Sequence, residues 1–415
     1  MFEWLAKLSK NEIRTFWACF GGWALDAMDL QIYSLAMPTL ILIWGLSKAQ
    51  AGSLATAVLI VAAVGGWIAG VLADRIGRVR VLQIAILWFA VFTFLSGLTN
   101  EYWQLMITRS LQGVGFGGEW AVGAVLISES VSPALRGRVV GSMHSGWAIG
   151  YGFAVALDVL TFRAFPETIA WRFLFFLGLL PAVAVFFIWR YIEEPKVFTE
   201  NRKTTPNRAS WEIFSGRYLK RTITATLLAT GIYGGNYVLI TWLPTYLKLS
   251  LHLSATLASG YLAVNILGSF AGAFLNAYLS DAIGRRYTFI LCAVCQACTV
   301  AVYIFAPINA LMTVLLGFVL GTLQSGTAAG MGATFAELFA TRIRATGQGF
   351  SANAGRAIGA VSPTLVGVLA PRASLGGAMA MCSIVAYGIV VLAALIMPET
   401  RGIDLRLAGT EEIHP

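Results

Sequence analysis

"GVLADRIGRVR", residues 70–80, has a near copy in the second half of the chain, "AYLSDAIGRRY", residues 277–287. Each stretch follows a long apolar run, and each contains an aspartate and then a glycine followed directly by arginine. Asp74 and Asp281 hold corresponding positions, about half a chain apart. Charged stretches with a glycine mark short turns between apolar segments. The repetition predicts that the chain consists of two homologous halves.

A second repeated stretch supports this duplication. "ESVSPALRG", residues 129–137, corresponds to "ELFATRIRATG", residues 337–347. The matching residues are Glu129 with Glu337 and Arg136 with Arg344. Because the separation between the two repeated stretches is nearly the same in each half, the similarity extends well beyond one loop.

The composition predicts that most of the chain faces lipid. Of its 415 residues, 58% are hydrophobic and only 12% are charged, about half the charged fraction of a soluble domain. Apolar runs of roughly 20 residues recur throughout, the length that crosses a bilayer as a helix. We predict an all-α polytopic membrane protein with twelve transmembrane helices: 15–45, 51–73, 81–98, 103–128, 139–162, 170–190, 220–247, 254–280, 287–306, 309–336, 346–370 and 374–397.

The net charge of +9 is explained by the orientation of the chain in the membrane rather than by binding to nucleic acid. If the amino terminus is cytoplasmic and twelve spans alternate, most of the 29 lysines and arginines fall in cytoplasmic segments. This is the positive-inside bias of membrane proteins. It places both termini in the cytoplasm, predicts an inner-membrane protein in contact with the lipid bilayer, and excludes nucleic acid.

The repeat also sets the predicted domain boundaries. Residues 1–190 form a first six-helix bundle and residues 220–399 a second, pseudo-symmetric one. The polar segment 191–219 is a cytoplasmic linker, and residues 400–415 form a cytoplasmic tail. Duplicated bundles are the architecture of alternating-access transporters.

The repeated loop resembles the signature of the major facilitator superfamily. The first copy presents this pattern in full, with Gly70, Asp74, Arg75, Gly77 and Arg78. The second copy has alanine at its first position and continues with Asp281, Gly284 and Arg285. "RSLQGVGFGGEW", residues 109–120, is similar to the fourth-helix motif of that superfamily.

Three further stretches resemble its proton-coupled organic-acid symporters, including sialate and lactate symporters. These stretches are "LDAMD" (25–29), "GGEW" (117–120) and "ELFATRIRATGQGFSANAGR" (337–356). The fifth span lacks the proline-glycine element of drug:proton antiporters. The resemblance therefore implies uptake by symport rather than drug export, and lactate itself is disfavoured because the seventh span lacks the expected His and Asp.

The resemblance implies that the repeated loops form a cytoplasmic gate. Arg78 with Glu129, and Arg285 with Glu337, are expected to form ion pairs in the outward-open state, and Asp74 to face a helix amino terminus. The residues assigned to the gate are Gly70, Asp74, Arg75, Gly77, Arg78, Glu129, Arg136, Asp281, Gly284, Arg285, Glu337 and Arg344. The alternative is that these arginines serve membrane orientation alone.

Two carboxylates interrupt the first span. Asp26 and Asp29 are three residues apart, so they share one helical face, and they lie near the predicted middle of the membrane. Burial and mutual repulsion both favour keeping a proton on the pair, as proton coupling requires. The alternative is hydrogen bonding to a neighbouring helix alone, although ionisable residues at this depth are usually functional.

Arg356 lies at a similar depth in the eleventh span. Its planar guanidinium can bind a carboxylate in bidentate fashion, and Asn353 is one turn earlier on the same face. We predict that both contact the substrate. The alternative is that an internal acid neutralises Arg356.

The fourth and fifth spans contribute further candidates. Glu119 is a candidate for proton coupling and Gln112, on the same face, for substrate binding. Arg109 lies about two turns from the predicted outer end of its span, so snorkelling to the surface is an alternative to a role in binding. His144 is a substrate or proton candidate, or a packing residue. Asp158, near the outer end of the fifth span, is expected to be solvated.

Other chemistry is disfavoured. The Gly113–Gly117 spacing predicts close helix packing rather than a phosphate-binding loop, and the three evenly spaced cysteines of the ninth span predict packing. We predict no enzyme activity, cofactor or metal site. The predicted function is proton-coupled import of a small organic acid by a monomer. The alternatives are transport of a neutral sugar or polyol, and a non-transporting nutrient sensor.

Overall fold

The computed structural model describes most of the apolar part of the chain. The described residues are Leu5, 8–131, Val139, Ser142, Met143, 145–180, Ala182, Val183, Ile192, Glu194, 212–307, 309–339 and 343–400. Twelve side chains within these ranges lie outside the description, at positions 74, 120, 121, 124, 128, 129, 217, 255, 274, 277, 281 and 345. The predictions for Arg136 and His144, and for the side chains of Asp74, Glu129 and Asp281, fall on residues outside the description.

The chain divides into two compact units. The first comprises Met1–Thr205 and Ser254–Ser259, and the second comprises Pro206–Leu253 and Gly260–Pro415. The finer boundaries expected from the sequence stay predictions.

The first unit is mainly helical in its described part. Its helices are α1 (Lys10–Trp44), α2 (Lys48–Ile76), α3 (Arg78–Ser96), α4 (Tyr102–Ser130), α5 (Gly146–Ala164) and α6 (Glu167–Phe176), and the short 3₁₀ turn Leu177–Leu179 follows α6. Helix α4 packs against α2 and α3, and α1 packs against α5 and α4. Helices α1 and α4 carry the polar candidates of this unit.

The second unit is also mainly helical in its described part. A 3₁₀ turn, Glu212–Phe214, precedes α7 (Gly216–Thr245), the π-helical turn Tyr246–Ser250, α8 (Ala255–Ile283), α9 (Arg285–Phe305), α10 (Ala310–Leu338), α11 (Arg344–Gly359), α12 (Ser362–Ala373) and α13 (Leu375–Ile396). Helix α7 packs against α11 and α13. The predicted eleventh span is therefore made of two consecutive helices, α11 and α12.

The helices begin where the sequence provides capping residues. Ser9 and Ser47 each accept a hydrogen bond from a backbone N–H three residues on, and the side chains of Glu12 and Gln50 accept one in return from the cap residue. These capping boxes satisfy backbone donors at the helix start that would otherwise lack partners. They fix the first residues of α1 and α2.

Nine helices within the described ranges are long and apolar enough to cross a bilayer. Because lipid offers no hydrogen-bond partners, an apolar chain of this kind satisfies its backbone by forming helices. The prediction of an all-α polytopic membrane protein is confirmed, and the count of twelve spans stays a prediction.

Glycines set the close packing of the first unit. Gly113 and Gly117 of α4 lie directly against the backbone carbonyls of Val58 and Ala62 in α2, so a side chain at either glycine would collide with them. Gly150 of α5 approaches the backbone of α1 in the same way. The "GVGFGG" stretch is therefore a helix-packing surface, as its spacing predicts.

Candidate functional site

Asp29 of α1 is the centre of a buried polar cluster in the first unit. Its carboxylate is fully buried and accepts a hydrogen bond from the side-chain amide of Gln112 in α4. The hydroxyl of Thr93 in α3 also interacts with it. Gly178, in the 3₁₀ turn, leaves the space beside Asp29 and Thr93 that a side chain would fill. Three helices and one turn therefore enclose this carboxylate.

Arg109 of α4 is the cation that faces Asp29. It is fully buried, its charge interacts with that of Asp29, and its guanidinium carbon lies 4.9 Å from the centre of the Tyr33 ring. Among the residues that the structure describes, none accepts a hydrogen bond from its Nε, Nη1 or Nη2. Snorkelling of Arg109 to the surface is therefore wrong, because packing of α4 against α1 turns its side chain inward. A buried guanidinium without hydrogen-bond acceptors among the described residues is suited to bind an anionic group.

Asp26 has a different partner from Asp29. Asp26 and Glu119 are both buried, and their carboxyl groups interact between α1 and α4. Glu119 Oε1 occupies the space in front of Gly22, where a side chain would collide with it. The two aspartates of "LDAMD" thus serve two neighbouring pairs rather than one pair of their own. Sequence reasoning identified both aspartates and Glu119 but missed Gly22, which makes room for the glutamate.

Asp158 of α5 is fully buried, so the expectation that it is solvated is wrong. Gly146 and Gly150 bring α5 close against α1, and Asp158 lies on the buried face of α5 with Thr161. The position of Asp158 near the predicted end of the fifth span does not determine whether its side chain faces the interior of the unit or the solvent.

The second unit holds Arg356 among aromatic rings. Arg356 of α11 is only 4% exposed, and its guanidinium carbon lies 5.3 Å from the centre of the Tyr233 ring in α7. Tyr233 and Tyr237 are stacked, with their ring centres 5.7 Å apart, and Arg356 also interacts with Tyr237. Sequence reasoning missed these tyrosines, although their spacing of four residues on a helix is the signal that could have found them.

Polar side chains near this group also have partners inside the second unit. Tyr387 of α13 donates a hydrogen bond to Asn236 Oδ1 of α7 (3.1 Å), and Gln324 of α10 lies 3.4 Å from the Asn236 carbonyl oxygen. Asn353 donates from its Nδ2 to the Gly349 carbonyl of its own helix (3.0 Å). Its side-chain oxygen is not used in that bond, which leaves an acceptor one turn from Arg356.

The predicted pair of Arg285 and Glu337 is present in the second unit. Arg285 Nη2 lies 3.2 Å from Glu337 Oε1, and Arg285 Nη1 donates to Ser280 Oγ (2.8 Å). The hydroxyl of Thr400 donates to Glu337 Oε2 (2.6 Å). The chain after α13 is therefore tied to the same carboxylate as the motif arginine.

Two glutamates that sequence reasoning missed hold the repeated loops. Glu194 accepts hydrogen bonds from the backbone N–H groups of Arg78 and Val79, both at 2.9 Å. Glu399 does the same for Arg285 (2.9 Å) and Arg286 (3.2 Å). Each carboxylate thereby caps the amino terminus of a helix, α3 or α9, where anions are favoured.

This capping explains the glycine of the motif. Gly77 and Gly284 have φ of 110° and 94°, which residues with a side chain rarely adopt. In both places the capping glutamate occupies the position that a side chain would take. By contrast, nothing lies within 4 Å of a side-chain carbon added at Gly70.

The remaining gate candidates are partly described. Arg344 Nε donates to the Ala336 carbonyl (2.7 Å), and Arg221 Nη1 donates to the Leu338 carbonyl (3.2 Å). Both therefore place positive charge at the carboxyl end of α10, where it is favourable. Arg78 Nη1 donates to the Ala73 carbonyl (2.8 Å), and Arg75 is exposed.

Comparison with known proteins identifies the family. The sequence profile of the Major Facilitator Superfamily matches residues 19–275 and 232–414. The chain belongs to the major facilitator superfamily. It is therefore a transporter rather than an enzyme, and the major facilitator fold implied by the loop motif is confirmed.

Relatives within the superfamily are metabolite transporters. The chain is 41% identical to a "probable 4-methylmuconolactone transporter" of Cupriavidus pinatubonensis, over 100% of this chain and 97% of that protein. It is 28% identical to the cis,cis-muconate transport protein of Acinetobacter baylyi, over 85% and 86% of the two chains. It is 24% identical to a sialic acid transporter of Escherichia coli, over 58% of each of the two chains. Because these relatives are bacterial polytopic transporters, this is a multi-pass inner-membrane protein.

Solved structures show the same fold. A D-xylose-proton symporter superposes with a TM-score of 0.76 over 95% of this chain and all of that chain, at 19% identity. A bacterial homologue of the lysosomal transporter Spinster gives a TM-score of 0.71 at 16% identity, over 94% and 96% of the two chains. At this identity the likeness concerns the major facilitator fold alone.

The Gly77 contact yields a matched test of the loop motif. Gly77→Ala is expected to lower the melting temperature of the purified protein by several degrees, because it forces alanine into positive φ and displaces Glu194 from its cap. Gly70→Ala, the same change in the same motif, is expected to leave the melting temperature within about one degree, because the added carbon meets open space. Equal melting temperatures for the two variants would show that the Glu194 cap does not stabilise the fold.

Proposed function

We propose that this protein is a proton-coupled importer of a small organic acid that works by alternating access. The observation that carries the proposal is Arg109, a buried guanidinium beside Asp29 whose nitrogens have no hydrogen-bond acceptor among the described residues. Such a group suits a carboxylate ligand. Relatives named for cis,cis-muconate and niacin, both carboxylic acids, support this substrate class.

The pairing of Asp29 with Arg109 suggests how the proton and the substrate are coupled. While Asp29 is ionised, it attracts Arg109. Once Asp29 takes a proton, it loses its charge, and Arg109 is available to a substrate carboxylate. Loss of that proton to the cytoplasm lets Asp29 reclaim Arg109 and release the substrate. Proton and substrate therefore bind together because they share one guanidinium.

The second pair, Asp26 with Glu119, supplies another place for a proton. Two buried carboxyl groups in contact disfavour carrying two negative charges, so they hold one proton between them. Asp26 lies one turn from Asp29 on α1, which makes the pair a donor or acceptor for Asp29. The number of protons moved per substrate depends on whether this pair exchanges its proton in the cycle.

Arg356 contributes to substrate recognition in the second unit. Its guanidinium can form two parallel hydrogen bonds to a carboxylate. The stacked rings of Tyr233 and Tyr237 offer flat apolar faces next to it, which suit a planar, unsaturated acid. We propose that this aromatic group favours conjugated carboxylates over saturated hydroxy acids.

The loop network is proposed to be the cytoplasmic gate. The Arg285–Glu337 pair and the Glu194 and Glu399 caps hold helix ends at the two repeated, arginine-containing loops. Breaking them would accompany opening toward the cytoplasm. We also propose that both termini are cytoplasmic, as the charge distribution indicates, and that one chain is the working unit.

Uptake into proteoliposomes tests the function. Labelled cis,cis-muconate and nicotinate are expected to accumulate when the outside is acidified, and an uncoupler should abolish the accumulation. Labelled xylose should not enter faster than into protein-free liposomes. Saturable xylose uptake without uptake of either acid would instead support the neutral-sugar alternative, and the absence of any transport would support a sensor.

A conservative substitution tests the role of Arg356. Arg356→Lys is expected to weaken nicotinate binding to the purified protein by about tenfold or more, because a point charge cannot replace a planar fork. The matched control is Arg372→Lys, the same change at an exposed position of α12, which should bind normally. Normal affinity in Arg356→Lys would favour a purely internal partner for this arginine.

A further inference from the structure

Arg109 has two neighbours on α1, an acid and an aromatic ring. Asp29 and Tyr33 are four residues apart, so they lie one turn apart on the same face of α1. From α4, the Gln112 amide donates a hydrogen bond to Asp29. The guanidinium carbon of Arg109, one turn before Gln112, lies 4.9 Å from the centre of the Tyr33 ring, and its charge interacts with that of Asp29. The guanidinium is therefore shared between two groups of different chemistry.

The Tyr33 ring is held in place by a contact with a third helix. Tyr33 is only 1% exposed, and its hydroxyl donates a hydrogen bond to the Ala51 carbonyl of α2 at 2.6 Å. The Ser53 hydroxyl of α2 lies 2.8 Å from the hydroxyl oxygen of Tyr102 in α4. The first two turns of α2 are therefore bonded to both helices that carry Asp29 and Arg109, and the ring has a set position beside the guanidinium.

The ring stabilises the charge of Arg109 without using its donors. An aromatic ring attracts a cation through the negative charge density of its face, whereas a carboxylate accepts the N–H groups of a guanidinium directly. Among the residues that the structure describes, none accepts a hydrogen bond from Nε, Nη1 or Nη2 of Arg109. A guanidinium that rests on the Tyr33 ring therefore keeps its N–H groups for another acceptor.

Packing alone does not explain why an aromatic ring lies here. A buried guanidinium is costly unless a nearby group stabilises its charge. Asp29 supplies that stabilisation only while it is ionised. Once Asp29 carries a proton, the Tyr33 ring is the group in the described part of the chain that is placed to attract Arg109.

We propose that Tyr33 is a positioning residue, which holds the Arg109 guanidinium with its N–H groups directed to the carboxylate of an anionic substrate. This role rests on the proposed function, in which protonation of Asp29 releases Arg109. Tyr33 keeps the released guanidinium at the site, so the substrate meets donors that are already in position. Donors ordered in advance bind more tightly than donors that must be ordered on binding.

Two substitutions of Tyr33 separate its ring from its hydroxyl. Tyr33→Leu removes the ring, and nicotinate binding to the purified full-length protein is expected to weaken about tenfold. Tyr33→Phe keeps the ring and loses only the hydrogen bond to Ala51, so its affinity should stay within about twofold of the unaltered protein. An equally large loss in Tyr33→Phe would assign the effect to the hydroxyl and overturn the proposal, as would normal affinity in Tyr33→Leu.

Tyr151→Leu is the matched control for the loss of a buried ring. Tyr151 of α5 is 5% exposed and belongs to the first unit, and no described charged residue interacts with it. The change should lower the melting temperature through lost packing but leave the affinity for nicotinate normal. Equal losses of affinity in Tyr151→Leu and Tyr33→Leu would indicate general damage to the fold and contradict a positioning role.

A double-variant cycle tests the coupling of Tyr33 to Arg109 without any substrate. Tyr33→Leu should lower the melting temperature less in the Arg109→Gln background than in the unaltered protein, because no guanidinium remains for the ring to attract. Asp29→Asn combined with Arg109→Gln serves as the background if Arg109→Gln alone does not fold. Equal shifts in the two backgrounds would refute the role of the contact, whatever the protein transports. Unequal shifts, together with no nicotinate binding by the unaltered protein, would support the contact and contradict the proposed substrate class.

Discussion

Asp29→Asn is expected to abolish uphill accumulation of substrate while leaving exchange of internal for external substrate intact. Asparagine cannot take up and release a proton, and it leaves Arg109 without an ionised partner at every pH. Substrate binding to the purified protein should therefore lose its pH dependence. Exchange should continue, because it requires no net release of a proton.

The size of the effect follows from the driving force. With a monocarboxylate and one proton no net charge crosses the membrane, so the pH gradient alone drives uptake. One pH unit corresponds to 1.36 kcal/mol, which supports about a tenfold accumulation. In Asp29→Asn the ratio of internal to external nicotinate should fall to about one. Radiolabelled uptake and counterflow in the same proteoliposomes measure both quantities, and retained counterflow shows that the variant is folded.

Asp158→Asn is the matched control, since it makes the same change at another fully buried aspartate of the first unit that we place outside the coupling mechanism. Uphill uptake should survive there. Uncoupler-sensitive accumulation that persists in Asp26→Asn, Asp29→Asn and the double variant would remove the "LDAMD" aspartates from proton coupling. Glu119 would then be the next residue to change.

Arg109→Gln is expected to be the most destabilising single substitution in the first-unit cluster. It leaves Asp29 buried without its cation, and breaking a buried pair in this way typically costs about 3–5 kcal/mol. The melting temperature of the purified protein should fall by several degrees, and substrate binding should weaken by about a hundredfold through loss of a buried charged partner.

The double variant separates the two effects. Asp29→Asn combined with Arg109→Gln replaces both charged side chains with neutral amides and should recover most of the lost stability. Transport should stay absent, because both the proton site and the guanidinium are gone. Additive losses of stability in the double variant would show that Asp29 and Arg109 do not form a coupled pair.

The sequence predicted the fold in good detail. Helical spans follow from the length of the apolar runs, since lipid leaves the backbone no other partners, and the duplication follows from the two copies of the loop motif. The Arg285–Glu337 contact could also be predicted, because both residues belong to repeated stretches. Glu194 and Glu399 could not, because they follow the last span of each half and meet the motif only through packing between distant segments.

For the candidate site, the sequence likewise identified the charged residues but not the partners they contact. The sequence alone identified the charged residues that interrupt apolar spans, because such residues are rare whatever the fold. They are Asp26, Asp29, Arg109, Glu119 and Arg356. Their partners depended on how the helices are rotated against each other, which Gly22, Gly146 and Gly150 permit by close approach. Counting residues from a span end therefore misplaced Asp158, left the direction of Arg109 open, and paired Asp26 with Asp29. Depth along a helix is a property of the sequence, whereas the direction in which a side chain faces is fixed only when neighbouring helices pack.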